Sequence, residues 1–267
     1  MRNTMRKLAA ALAAGALIFS AGAFAKDGHI KVGVITGPEF QIAETVKQIA
    51  KEKYSLEVEL VPFTEYVPVN VALESKELDA NAIQHYPYLA EQSKDRGWTD
   101  LVVVGNTFVY PMAAYSHKIK SLEEVKDGMT VAIPSDKTNE GRALILLQAK
   151  GLITLKNPKD LNSSVLDIVE NPKNLNIKTI DGNLIPRALS QLDFAVINNT
   201  FAGQGGLTIE KDGIFVEDAD SPYVNIIVAR KDNAEDPDVK NFVKAYNDEQ
   251  TYEAAKKLFG EVVKGWK

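Results

Sequence analysis

The sequence predicts an α/β protein of two lobes joined by two chain crossings, and three features carry that reading. Short apolar runs alternate with segments whose apolar residues recur at helical spacing, as in strand–helix–strand units of a parallel sheet. Residues 101–116, LVVVGNTFVYPMAAYS, form a β-rich run with a single Pro. It is too long for one strand of a compact lobe, so the chain is expected to pass there from a first lobe into a second. Near the end, residues 223–230, YVNIIVAR, form another extended run able to carry the chain back. The expected partition is residues 26–108 with 224–267 in the first lobe and 109–223 in the second. Two crossings make a hinge, and ligands of such folds sit between the lobes, beyond the carboxyl ends of the strands.

Each element has its own local reason. Residues 29–35 (HIKVGVI) predict a first strand, ended by Thr36-Gly37-Pro38. Over residues 40–53, Ile42, Ala43, Val46, Ile49 and Ala50 share one helical face. Residues 57–63 (EVELVPF) alternate as a second strand, 68–76 predict a helix, and 78–84 (LDANAIQ) return to the sheet. In the second lobe, 120–126 predict a short helix and 130–134 (TVAIP) a buried strand. The turns Asn157-Pro158 and Asn171-Pro172 bracket a short helix at 164–169. Strands follow at 177–180, 194–197 and 213–216. Residues 237–246 and 249–263 close the chain as amphipathic helices, the first with Val239, Phe242, Val243 and Tyr246 on its apolar face.

Arg2, Arg6 and Lys7 precede an apolar segment and the small-residue stretch ending Ala23-Phe24-Ala25, the form of a cleavable secretory leader over residues 1–25. A periplasmic protein starting near Lys26 is expected, 242 of the 267 residues. The 31 basic and 36 acidic residues include three basic ones in the leader, so the remainder carries 28 against 36, a net −8. Such a balance favours solubility and offers no basic patch for nucleic acid. Cysteine is absent, which excludes disulfides, thiolate metal sites and a cysteine nucleophile.

The junction at residues 134–148, PSDKTNEGRALILLQ, reads as strand, polar turn and helix start. The first N–H groups of a helix lack partners and carry partial positive charge, so an anion is welcome there. Ser135, Asp136, Thr138 and Asn139 can cap it, Gly141 allows close approach of a ligand, and Arg142 offers a fork of donors that fits a carboxylate. The same spacing equally fits a capped helix with a surface Arg. Tyr66, His85, Tyr88 and Tyr110 each follow a predicted strand and face the expected cleft, or else pack in the core. Rings and one guanidinium together suit a small zwitterion with an apolar side chain. His85 has no second His at ligand spacing, since His29 and His117 belong to other elements, so no metal and no cofactor is expected. A G-x-S-x-G elbow is absent. Asn198 and Asn199 end one strand and Asn225 lies in another; their amides satisfy neighbouring backbone or meet a ligand ammonium.

The runs NAIQHYPYL, GNTFVYPMAAYS, PSDKTNEGRALILLQ, LDIVENPKNLNI, FAVINNT and DGIFVEDADSPYVNIIVAR closely resemble the MetQ/NlpA family of methionine-binding proteins of bacterial ABC importers, in order along the whole mature chain. The resemblance implies a two-lobed periplasmic binding protein, type II-like, that delivers methionine to a permease and its ATPase, as a monomer and without catalysis. It places the carboxylate-binding arginine on Arg142 with Asn139 beside it. The aromatic wall falls on Phe63, Tyr66, His85 and Tyr88, and polar contacts fall on Asn198 and Asn225. Two departures stand out: Ile83 replaces a Phe common in relatives and changes the wall, and the chain has no Cys to acylate, which implies a free periplasmic form. L-methionine is the expected ligand, with D-methionine, another small amino acid or a methionyl dipeptide as alternatives. An exported enzyme using His85 as general base is the competing class.

Overall fold

The computed structural model describes residues 28–218, 221–259 and 262–267, so the expected leader lies outside the described residues. The chain begins with β1 (Gly28–Ile35), α1 (Pro38–Tyr54), β2 (Leu56–Phe63), α2 (Val67–Glu74), β3 (Ala80–His85), α3 (Tyr86–Arg96) and β4 (Leu101–Val109). It continues through β5 (Ala113–Tyr115), β6 (Thr130–Pro134), α4 (Lys137–Ala149), β7 (Thr154–Leu155), β8 (Ile168–Glu170) and β9 (Asn176–Ile180). Next come α5 (Ile185–Ala188), β10 (Phe194–Ile197), α6 (Asn199–Gln204), α7 (Ile209–Asp212) and β11 (Gly213–Val216). It ends with β12 (Val224–Arg230), α8 (Pro237–Tyr246), α9 (Glu249–Phe259) and β13 (Val263–Lys264).

Two main sheets result, in the orders β13-β4-β12-β3-β1-β2 and β11-β5-β10-β6-β9. The long β-rich run divides between them: β4 belongs to the first and β5 to the second, with Tyr110-Pro111-Met112 between. Pro111 has no N–H to give to a ladder, so the strand breaks there. The return passes from β11 to β12. Both sheets are mixed rather than parallel. In the first, β1 pairs in parallel with β2 and β3, while β12 runs antiparallel to β3 and β4. The physical reason is the crossing itself: β12 enters from the carboxyl end of β3 and can only run the other way.

Apolar residues fill both faces of each sheet. Ile30, Val32 and Phe108 pack with Ile42 and Val46 of α1 and Phe242 of α8, and Ile35, Val69, Leu73, Leu78 and Val228 form the other cluster. Each such side chain contributes about 1.5–3 kcal/mol through burial. Some expected helices come out shorter, and the one at 120–126 is only a 3-10 turn, Leu122–Glu124. Between the turns only a 3-10 turn, Val165–Asp167, forms, held by a reciprocal Ser164 and Asp167 cap, and the next residues pair as β8 with β7. The last helix is described over Glu249–Phe259, and Val263–Lys264, expected within it in part, pairs with β4 instead. Helix α3 has no counterpart in the sequence reading, because its Tyr86-Pro87 start reads as a loop.

Candidate functional site

Both sheets direct their strand ends toward one cavity, lined among others by Tyr66, Ile83, His85, Tyr88 and Tyr110. Asn139, Arg142, Asn198 and Asn225 line it as well. Phe63 does not. It ends β2 at the sheet edge, with β1 between it and β3, and its ring packs toward Gly33 in the apolar cluster beside Tyr66. Of the residues expected in an aromatic wall, Tyr66, His85 and Tyr88 line the cavity, Tyr66 and Tyr88 meeting edge to face at 5.6 Å, and Phe63 lies behind them.

At the start of α4 the cap is Asp136. Its Oδ1 accepts from the Asn139 N–H at 3.1 Å and from Thr138 Oγ1 at 3.2 Å. Burial pushes the Asp136 carboxyl up, against these hydrogen bonds. The anion expected at this helix end is therefore the protein's own cap. Gly141 likewise admits protein rather than ligand, for a Cβ there would stand 2.2 Å from the Leu161 carbonyl oxygen.

Asn139 ties the two sheets together. Its Nδ2 donates to both Asp136 oxygens at 3.0 Å, which fixes its Oδ1 as an acceptor. That oxygen receives Asn198 Nδ2 at 2.7 Å and meets His85 Nε2 at 3.1 Å. His85 Nδ1 accepts the Tyr88 N–H at 3.2 Å, so its proton sits on Nε2 and is donated to Asn139. Burial, then the nearby Arg142 charge, pull the His85 pKa down to about 3. A neutral ring with both nitrogens engaged has no lone pair for a substrate proton, which counts against a general base. Asn198 Oδ1 is buried and unpaired among the described residues. Asn225, on β12 opposite His85, makes no side-chain hydrogen bond among them and lines the cavity.

Arg142 is 3% exposed. Its Nε donates to Glu217 at 3.0 and 3.2 Å, and its Nη2 donates to Glu217 Oε2 and to the Tyr110 carbonyl at 3.0 Å. The guanidinium also lies over the Tyr223 ring, 4.4 Å from its centroid. The fork expected to hold a ligand is thus occupied by an internal carboxylate, and Nη1 is the nitrogen without a partner among the described residues. Glu217 and Tyr223 escaped the sequence reading. Tyr223 opens the extended run 223–230 instead of following a predicted strand, so the signal that flagged Tyr110 missed it, and Glu217 carries no signal.

Flanking contacts also join the two sides. Thr200 Oγ1 donates to Glu39 Oε1, leaving Oε2 buried and unpaired among the described residues, and burial pushes the Glu39 pKa up to about 7. Gln204 Nε2 donates to the Thr36 carbonyl at 3.1 Å.

A family model described as NlpA lipoprotein matches residues 30–266. The chain belongs to the NlpA lipoprotein family. It is 56% identical over 263 residues to the D-methionine-binding lipoprotein MetQ of Escherichia coli K12, across 95% of this chain and 97% of that protein. The crystal structure of a methionine-binding protein, MetQ, superposes with a TM-score of 0.87 at 57% identity, over 91% of this chain and all 100% of the other. A nutrient-binding protein from Burkholderia cenocepacia, solved bound to methionine, superposes at 0.85 with 44% identity, over 89% of this chain and 100% of that one. These relatives are named for binding, and the two solved structures share this chain's fold.

Proposed function

We propose that this protein is the receptor of a bacterial ABC importer, capturing methionine between its two sheets and passing it to a permease with its ATPase. One arrangement carries the reading. A buried guanidinium whose Nη1 has no partner among the described residues, an amide oxygen likewise unpaired among them, and a wall of rings converge on one cavity, with parts from both sheets. In the proposed pose Arg142 Nη1 takes the carboxylate. Asn198 and Asn225 take the ammonium, while Tyr66, Ile83 and Tyr88 enclose the thioether. Burial of a Met-sized side chain contributes about 1.5–3 kcal/mol, and sulfur–ring contact about 0.3–1.5 kcal/mol. His85 and Asn139 hold the walls in register without touching bond chemistry.

Residues 26–108 with 224–267 and residues 109–223 act in this reading as two lobes closing about the crossings. The Thr200–Glu39 and Gln204–Thr36 bonds form on closure. The receptor works as a monomer in the periplasm, free of a thioether-linked lipid because no Cys is present to carry one. The names of the relatives support the ligand class. Isothermal titration with methionine, norleucine and leucine tests it: methionine is expected to bind tightest, norleucine less and leucine least. Equal binding of all three, or of none, would defeat the methionine assignment.

A further inference from the structure

The Arg142 guanidinium does not enter the cavity as an unbalanced charge. Of its five N–H groups, the one on Nε and the two on Nη2 are spent inside the protein, two of them on Glu217. The side chains of the pair are 4% and 14% exposed, so water screens their attraction little. Glu217 is itself held at the crossings: its Oε2 accepts the Met112 N–H at 3.2 Å, and its own N–H donates to the Met112 carbonyl at 2.9 Å. The other titratable groups nearby add no positive charge. His85 is neutral, Asp136 is a partly buried carboxyl at the cap, and Glu39 is a buried carboxyl near enough to act on Tyr66 and Tyr110.

We infer that Glu217 sets the charge selectivity of the cavity: by balancing Arg142 from behind, it makes the site accept a zwitterion and refuse an anion of the same shape. A ligand carboxylate entering beside Nη1 then meets a pair that is already neutral overall. Its charge is offset only if the ligand brings its own ammonium, which Asn198 Oδ1 and the Asn225 amide can solvate. Without Glu217 the guanidinium alone would reward any carboxylate. The inference rests on the amino-acid reading of the cavity and adds a determinant of its selectivity. Glu217 acts through Arg142 and is a positioning residue in this sense.

The test compares each amino acid with its desamino acid, the same molecule lacking the amino group: methionine with 4-(methylthio)butanoate, norleucine with hexanoate, leucine with 4-methylpentanoate. Titrations are run on the parent, Glu217→Gln and Glu217→Asp. The parent is expected to favour methionine over 4-(methylthio)butanoate by at least about a hundredfold. Glu217→Gln narrows that ratio by about tenfold or more, because the hydrogen bonds of the ammonium are common to both proteins and cancel in the comparison. Glu217→Asp, which keeps the charge on a shorter arm, retains the ratio while weakening both ligands. A parent that takes the anion within about threefold of the zwitterion overturns the inference without any variant. So does a Glu217→Gln protein that loses both ligands equally, since a mere strut would do that. Binding confined to another pair overturns the methionine assignment alone, and the ratio in that pair then decides the charge inference. No binding in any pair overturns both.

Discussion

Arg230 at the far end of β12 and Arg142 near the start of α4 are both buried, at 7% and 3% exposure, yet their surroundings differ in kind. Arg230 meets protein with all three nitrogens: Nη1 donates to the carbonyls of Leu73 and Leu78, Nε donates to Asp232 at 3.1 Å, and Nη2 lies 4.0 Å from Asp79. It ties the end of α2 and the start of β3 to β12. Arg142 spends Nε and Nη2 on protein and lays its face over Tyr223, while Nη1 has no partner among the described residues and Arg142 lines a cavity. Burial alone therefore says little about the role of a charged side chain. The number of donors the protein leaves unspent separates a strut from a binding group.

The sharpest way to break this contrast is Arg142→Met. Methionine affinity should fall at least about a thousandfold, or about 4 kcal/mol, in a titration monitored by calorimetry. Retention of parent affinity would reduce Arg142 to a second Arg230. The converse substitution, Arg230→Met, should lower unfolding stability by about 3 kcal/mol in urea, because two carbonyls lose a charged donor. The folded fraction should bind methionine as the parent does. An affinity loss beyond about threefold would blur the distinction.

Two buried groups of the first lobe, Glu39 and His85, respond to pH in opposite directions. Glu39 has a folded pKa raised to about 7 from 4.5, so its folded form holds a proton that the unfolded chain has released. Stability from this group falls as pH rises through that window and stays lower above it. His85 has a folded pKa lowered to about 3 from 6.5, so its contribution rises with pH from 3 to 6.5. The two slopes oppose each other between pH 4.5 and 6.5. Glu39→Gln should therefore be more stable than the parent at pH 8, by about 2–3 kcal/mol, and should show the His85 slope unmasked. Urea melts from pH 4 to 8 check this, and parallel curves for the two proteins would rule it out. The smallest effect belongs to Ile83, whose side chain lines the cavity with no polar contact. Ile83→Phe should change methionine affinity by no more than about 1.5 kcal/mol, while altering the ranking of methionine against norleucine.

Much of the fold was legible because its signals are local. The strands at 130–134, 194–197 and 213–216 and the helix at 237–246 appear within the predicted bounds, since short apolar runs and helical spacing need only neighbours to be read. The crossing was legible as well: Pro111 interrupts a run too long for one strand. Helix α3 was not, because its first turn carries Pro87 and two tyrosines that suit a loop equally well, and its His85 cap acts through a ring nitrogen. Phe63 illustrates the opposite error. Its place at the end of a strand is correct, but the order of strands puts β2 at the edge, and no local pattern states that order.

By itself, the sequence determined the α/β class, the two passages of chain, and a helix start bearing Arg142 close to an aromatic-rich set of strand ends. Those follow from spacing and from the chemistry of single residues. Only the tertiary structure decided how Arg142 is used. Its partner Glu217 stands 75 residues away, on the other crossing, and nothing local marks it. The His85 tautomer, the saturation of Asn139 and the orphaned oxygen of Asn198 were decided there too. A hydrogen bond has direction and a finite number of donors, and which of them remain for a ligand is known only once every neighbour is in place.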